Sequence, residues 1–135
     1  MNERSRAQHP RAAAAKRAAP SPAPIGIDIL CQLLDGTTAA IYVKDAEGRY
    51  RYGNRHFFDL IGVDSESLMG HTDEAWLPAE AAAGLRRNDA AVLERGEEIE
   101  FEERLEIGGR AGVYLSRKFP LFDTDGRPWA VCGIS

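Results

Sequence analysis

The stretch from Glu98 to Ile107 constrains this chain most. Ile99, Phe101, Leu105 and Ile107 fall on one side of a two-residue period, and Glu98, Glu100, Glu102, Arg104 and Glu106 fall on the other. Successive side chains of a strand point to opposite faces, so this pattern predicts a strand with one dry and one wet face. Such strands belong to antiparallel sheets covered on one side only. Glu103 breaks the pattern, because it lies on the apolar side. A carboxylate there needs a cation or a ligand beside it.

The neighbouring segments extend this sheet. Gly108-Gly109-Arg110-Ala111-Gly112 reads as a turn, Val113–Leu121 as the next strand, Asp123-Thr124-Asp125-Gly126 as a second turn and Trp129–Ile134 as the last strand. Upstream, Ala39–Lys44 alternates, with Ile41 and Val43 on one side and Tyr42 and Lys44 on the other; Asp45-Ala46-Glu47-Gly48 turns the chain into Arg49–Tyr52. Asn54 caps a helix over Arg55–Ile61 that Gly62 closes. A short turn capped by Asp64 or Ser65 follows, then one capped by Thr72 or Asp73 that carries Trp76. Pro78 opens a longer helix to about Arg95, stopped by Gly96, with Ala81, Leu85, Asn88 and Val92 on its inner stripe and Asp89 at the border. This order predicts an α+β fold: a five-stranded antiparallel sheet with helices on one face.

Two segments precede that core, which spans about 39–135. Residues 1–24 are rich in alanine, proline and arginine and have no apolar stripe, which predicts a disordered basic tail. Five cations (Arg4, Arg6, Arg11, Lys16 and Arg17) against Glu3 put this tail at +4, and so the remainder at −8, of a chain total of −4. From about 27 to 35 a flanking helix is expected, apolar on nearly every side through Ile27, Ile29, Leu30, Cys31, Leu33 and Leu34. If Leu30, Cys31 and Leu34 cover the sheet, Ile29 and Leu33 face outward as a pair and form the expected homodimer interface.

Several function classes find no support. The acidic body argues against nucleic acid as a partner. No apolar run approaches the ~18 residues of a membrane span, and no signal-peptide core follows the basic start, so a cytoplasmic location is expected. Cys31 and Cys132 belong to no CxxC pair, which argues against zinc and predicts two small buried hydrophobes. The histidines are His9, His56 and His71; no Ser/His/Asp set, metal motif or phosphate-binding loop accompanies them, so no enzyme and no metal site are expected.

An ordered set of short pieces resembles the PAS domain family. They are Ile41-Tyr42-Val43-Lys44-Asp45 with Gly48-Arg49-Tyr50, Tyr52-Gly53-Asn54, Gly70-His71-Thr72-Asp73, Asn88-Asp89, Gly96, Glu102-Glu103, Lys118-Phe119-Pro120-Leu121, Asp125-Gly126 and Val131-Cys132-Gly133-Ile134-Ser135. The resemblance covers about Ile29 to Ser135. It implies a sheet order of 2-1-5-4-3 and helices enclosing a pocket against it. It also implies a sensory role, coupled to an attached output domain such as a histidine kinase, a diguanylate cyclase or a phosphatase, or a role as a ligand-free dimerisation module. Many members continue past the last strand into Asp-Ile-Thr and a signalling helix; an end at Ser135 is compatible with a piece of a larger protein. Haem-binding members commonly take a histidine from the long helix, and Pro78–Arg95 has none. Flavin photosensors of the LOV type carry a cysteine motif before that helix, and Gly70–Trp76 has none. Neither cofactor is therefore expected.

What the residues leave is an apolar pocket for a small organic ligand, with candidate lining residues Ile41, Val43, Phe57, Leu60, Trp76, Leu85, Asn88, Val92, Phe101, Glu103 and Val131. The same residues can equally fill a dry core. Glu103 is expected to form a structural ion pair with Lys118. If Gly108–Ala111 form the turn, Ile107 pairs with Gly112 and Glu103 lies opposite Ser116, with Lys118 one same-face step further on.

Overall fold

In the computed structural model, residues 24–135 are described. The expected tail, but for Pro24, lies outside them.

Each element follows from local chemistry. The flanking helix α1 (Ile27–Asp35) leads to the hairpin β1 (Ile41–Asp45) and β2 (Tyr50–Gly53). Then come α2 (Arg55–Ile61), the single turn α3 (Ser65–Leu68) and a 3-10 turn at Asp73–Ala75. Asn54 caps α2, its side-chain oxygen accepting from Phe57 N, and Asp64 caps α3 in the same way through Ser67 N. The long helix α4 (Ala79–Arg95) starts behind Pro78 and stops at Gly96. Three strands finish the chain: β3 (Ile99–Ile107), β4 (Arg110–Phe122) and β5 (Pro128–Ile134).

The strands form one antiparallel sheet in the order β2-β1-β5-β4-β3, as the resemblance implies. Its inner face meets α2, α3 and α4. Its core holds Tyr42, Tyr50, Phe57, Ile61 and Leu68, all buried, with Leu77, Ala82 and Leu85 in a second cluster under α4.

The β3–β4 register differs from the expected one by two residues. Ile107 pairs with Arg110, and Glu103 lies opposite Tyr114, not Ser116. The turn is Gly108-Gly109 alone, with φ of 59° and 77°. Two glycines at positive φ suit the tightest hairpin connection, which a reading with a four-residue turn passes over. A shift of two keeps every side chain on its face, so Glu103 and Lys118 still share the inner one.

The face of β1 is the reverse of the one assigned to the pocket. Tyr42 lies across from Gly133 and Lys44 across from Tyr50 and Val131, all facing inward. Ile41 and Val43 face outward, so neither lines a pocket on the helix side. A Cβ at Gly133 would collide with the Tyr42 ring, which takes that space.

Candidate functional site

Five charged side chains meet on the inner face. Lys44 from β1 donates to Asp73 Oδ2 at 2.7 Å and to Asp89 Oδ2 at 2.7 Å. Lys118 from β4 donates to Asp89 Oδ1 at 2.9 Å and pairs with Glu103 Oε2 at 2.9 Å. Asn88 Nδ2 donates to the same Glu103 oxygen at 3.0 Å. Tyr50 donates to Asp73 Oδ1 at 2.6 Å and accepts from Trp76 Nε1 at 3.2 Å. Asp89 on α4 is thus the bridge between two strands. No member of the charged set is more than 5% exposed.

Such burial is tolerated only because each charge is paired. Burial alone would lower the ammonium pKa of Lys44; Asp89, Tyr42 and Asp73 outweigh it and hold it above the usual lysine range. Lys118 behaves likewise against Asp89 and Glu103. Burial pushes the Asp89 carboxyl up, but Lys44 and Lys118 together bring it below the usual carboxylate range. Burial, then the Asp73 carboxylate, raises the Tyr50 phenol well above its ordinary value.

Beside this network lies a cavity of about 30 Å³. Of the candidate residues, Phe57, Leu60, Trp76, Leu85 and Glu103 line it. Tyr42, Tyr50, Leu105, Tyr114, Ser116 and Ser135 line it too, and these the sequence reading missed. Val92 and Val131 are fully buried in packing, and Phe101 lies beneath the Lys118 ammonium, 5.7 Å from ring centre to nitrogen. Asn88 faces an outer groove of about 550 Å³ between α4 and β3. Leu85, Glu103 and Leu105 border both spaces and partition them.

Other assigned residues lie elsewhere. His56 and His71 are exposed. Cys132 is buried, its thiol pushed up to about 11 by burial, whereas Cys31 is only half-buried. Ile29 and Leu33 are 43% and 57% exposed, but so is Leu30 at 46%, which was expected to cover the sheet. Among the described residues no group of His, Cys, Asp or Glu is arranged to hold a metal, and no helix is long and apolar enough to cross a membrane.

The missed residues Lys44, Asp73 and Asp89 had a weak signal in the sequence. Lys44 and Lys118 each fall on the same side as inward aromatic or small residues, and Asp89 borders the apolar stripe of α4. Their meeting is a tertiary fact that no local window contains.

The family model described as PAS fold matches residues 34–135. The methanogenesis regulatory histidine kinase FilI of Methanothrix harundinacea is 31% identical over 106 residues, which is 76% of this chain and 12% of the kinase. The virulence sensor protein BvgS of Bordetella pertussis is 28% identical over 111 residues, 79% of this chain and 9% of that protein. The solved BvgS domain superposes with a TM-score of 0.67 at 24% identity, covering 78% of this chain and 81% of that one. The Vibrio VqmA–ligand–DNA complex gives 0.72 at 21% identity, covering 82% and 50%. These two likenesses are of fold alone. The chain spans about a tenth of the length of the curated relatives it matches.

Proposed function

The chain belongs to the PAS fold family, and on that premise we propose that it is the sensory module of a longer cytoplasmic signalling protein. The carrying observation is the cavity on the inner face, walled by aromatic rings and reached by one buried carboxylate, Glu103. Its few polar groups amid apolar walls suit recognition of a small organic molecule. Resemblance in sequence to a regulatory histidine kinase and to a virulence sensor supports a signalling output, of kinase, cyclase or phosphatase type, on an attached domain. The module itself does no chemistry in this reading, and neither haem nor flavin is its ligand, since Pro78–Arg95 holds no histidine and Gly70–Trp76 no cysteine.

A second reading rests on the cavity's size. About 30 Å³ holds a single water, so an organic ligand requires the walls to part. A ligand-free module that acts only by homodimerisation through Ile29 and Leu33 needs no such opening.

Native mass spectrometry of the purified chain separates the two. The sensory reading expects a small-molecule mass excess that dissociates on activation, on a colourless protein. A bare dimer favours the second reading, and a bare monomer at high micromolar concentration contradicts both.

A further inference from the structure

The charges of the inner face do not balance. Asp73, Asp89 and Glu103 supply three carboxylates, and Lys44 and Lys118 supply two ammonium groups, all buried together. The surplus falls at the cavity. Glu103 is the single charged side chain that lines it, and no lysine or arginine does. Both partners of Glu103, Asn88 and Lys118, bind Oε2; among the described residues no hydrogen bond reaches Oε1. Glu103 is 5% exposed as a residue, yet Oε1 is not among the buried orphan atoms, so it is the oxygen that Glu103 presents to the spaces it borders.

Aromatic rings surround the same space. Tyr42, Tyr50, Phe57, Trp76 and Tyr114 all contribute to the wall. The face of such a ring carries partial negative charge and attracts a cation more strongly when water is excluded. Lys44 Nζ already sits 5.4 Å and 5.2 Å from the ring centres of Tyr42 and Tyr50. A carboxylate in excess, an acceptor oxygen without a protein donor among the described residues, and the remaining rings of Phe57, Trp76 and Tyr114 make one chemical demand. It is for a positively charged N–H donor. The present volume is that of one water molecule, which is also about the size of an ammonium group.

Resting on the sensory reading above, we infer that Glu103 is the recognition carboxylate for a small ammonium-bearing ligand, a protonated amine whose head group occupies this cavity. The alkyl part extends toward the groove between α4 and β3. Leu85 and Leu105 are the apolar partition it must displace, and the small residues Ala81 and Gly84 leave room behind them. Glu103, on the border of both spaces, meets the head group on entry. Displacement of that partition changes how α4 packs on β3, and α4 also carries Asp89, so binding acts on the charge network directly.

The test is a titration of the chain with methylammonium chloride followed by amide proton–nitrogen spectra. Sodium chloride at equal ionic strength is the control. The inference expects saturable shifts at Leu85, Glu103 and Tyr114 with methylammonium and none with sodium. Glu103→Gln keeps the bond from Asn88 and is expected to weaken methylammonium at least tenfold. Tyr114→Leu, which leaves every charge in place, is expected to weaken it about tenfold. Equal shifts with sodium, no saturable shift with the amine, or unchanged affinity in both variants would overturn the inference. A different small molecule retained in the native mass spectrum, with no amine response, would defeat this inference and leave the sensory reading standing.

Discussion

On the inner face of the sheet, five buried charges hold one another at 2.7 to 2.9 Å. On the outer face, beside α1, the buried hydroxyl of Tyr52 has no hydrogen-bond partner among the described residues. Its ionisable neighbours there are Asp35, Cys31 and Cys132. Helix α1 is attached mainly at its end: Asn54 Nδ2 donates to Leu34 O at 2.8 Å, and Arg55 N to Asp35 Oδ1 at 2.8 Å. None of its residues is buried, and Ile27, Ile29, Leu30 and Leu33 are all exposed. Val113 and Leu115, outward-facing on β4, are exposed as well. The difference teaches which face the chain holds together by itself. The inner face pairs each of its charges within the fold and leaves over only one carboxylate's worth of charge, at Glu103 beside the cavity. The outer face leaves apolar surface and a polar orphan, which the proposed homodimer would cover.

The sharpest way to break this comparison is Asp89→Asn. It removes the charge that both lysines share and leaves them facing Asp73 and Glu103 alone. Breaking a buried pair of this kind costs about 3–5 kcal/mol, read by urea unfolding. A loss under about 1 kcal/mol would show that the network is slack.

Acid is the next lever. The folded pKa of Asp89 is lowered from its ordinary 3.8, so its contribution is present above that value and is lost as pH falls through the folded pKa. Lys44 and Lys118 are raised from 10.5, so theirs is present below that value and is lost as pH rises through the folded pKa. Denaturant midpoints are expected to be flat between these limits as far as the network is concerned, and to fall at either end. In Asp89→Asn the acid-side fall should diminish.

A double-mutant cycle of Glu103→Gln and Lys118→Met sharpens the account further. Residues in one ion-pair network couple by about 0.5–3 kcal/mol, and a value within that range is expected. Zero coupling would make Lys118 a partner of Asp89 alone. The smallest effect on stability belongs to the outer face. Leu33→Glu should change unfolding by no more than about 0.5 kcal/mol, as for other exposed positions, while abolishing any self-association seen by sedimentation.

These contrasts also explain what could be read without coordinates. The period-two pattern of Glu98–Ile107 marked β3 and the anomaly at Glu103, because face alternation is a local property. Capping by Asn54 and the stop at Gly96 were equally local. The face of β1 was not. Ile41 and Val43 are the more apolar pair, and a reading by hydropathy turns them inward. Lys44 goes inward instead, because Asp73 and Asp89, distant in sequence, supply two carboxylates for it. The cavity walls contributed by Tyr42 and Tyr50 were lost with that choice. The pairing of Glu103 with Lys118 needed only shared parity, so it was legible even though the register was not.

Amide hydrogen exchange at low and at high micromolar concentration tests most directly the claim that the inner face is held by its own ion pairs while the outer face is left uncovered within one chain. The account predicts slow exchange in β1, β4 and β5 at both concentrations. It predicts fast exchange in α1 at low concentration and added protection there at high concentration. Strong protection of Ile29–Leu34 at both concentrations would show that α1 is already docked on its own sheet, and would contradict the account.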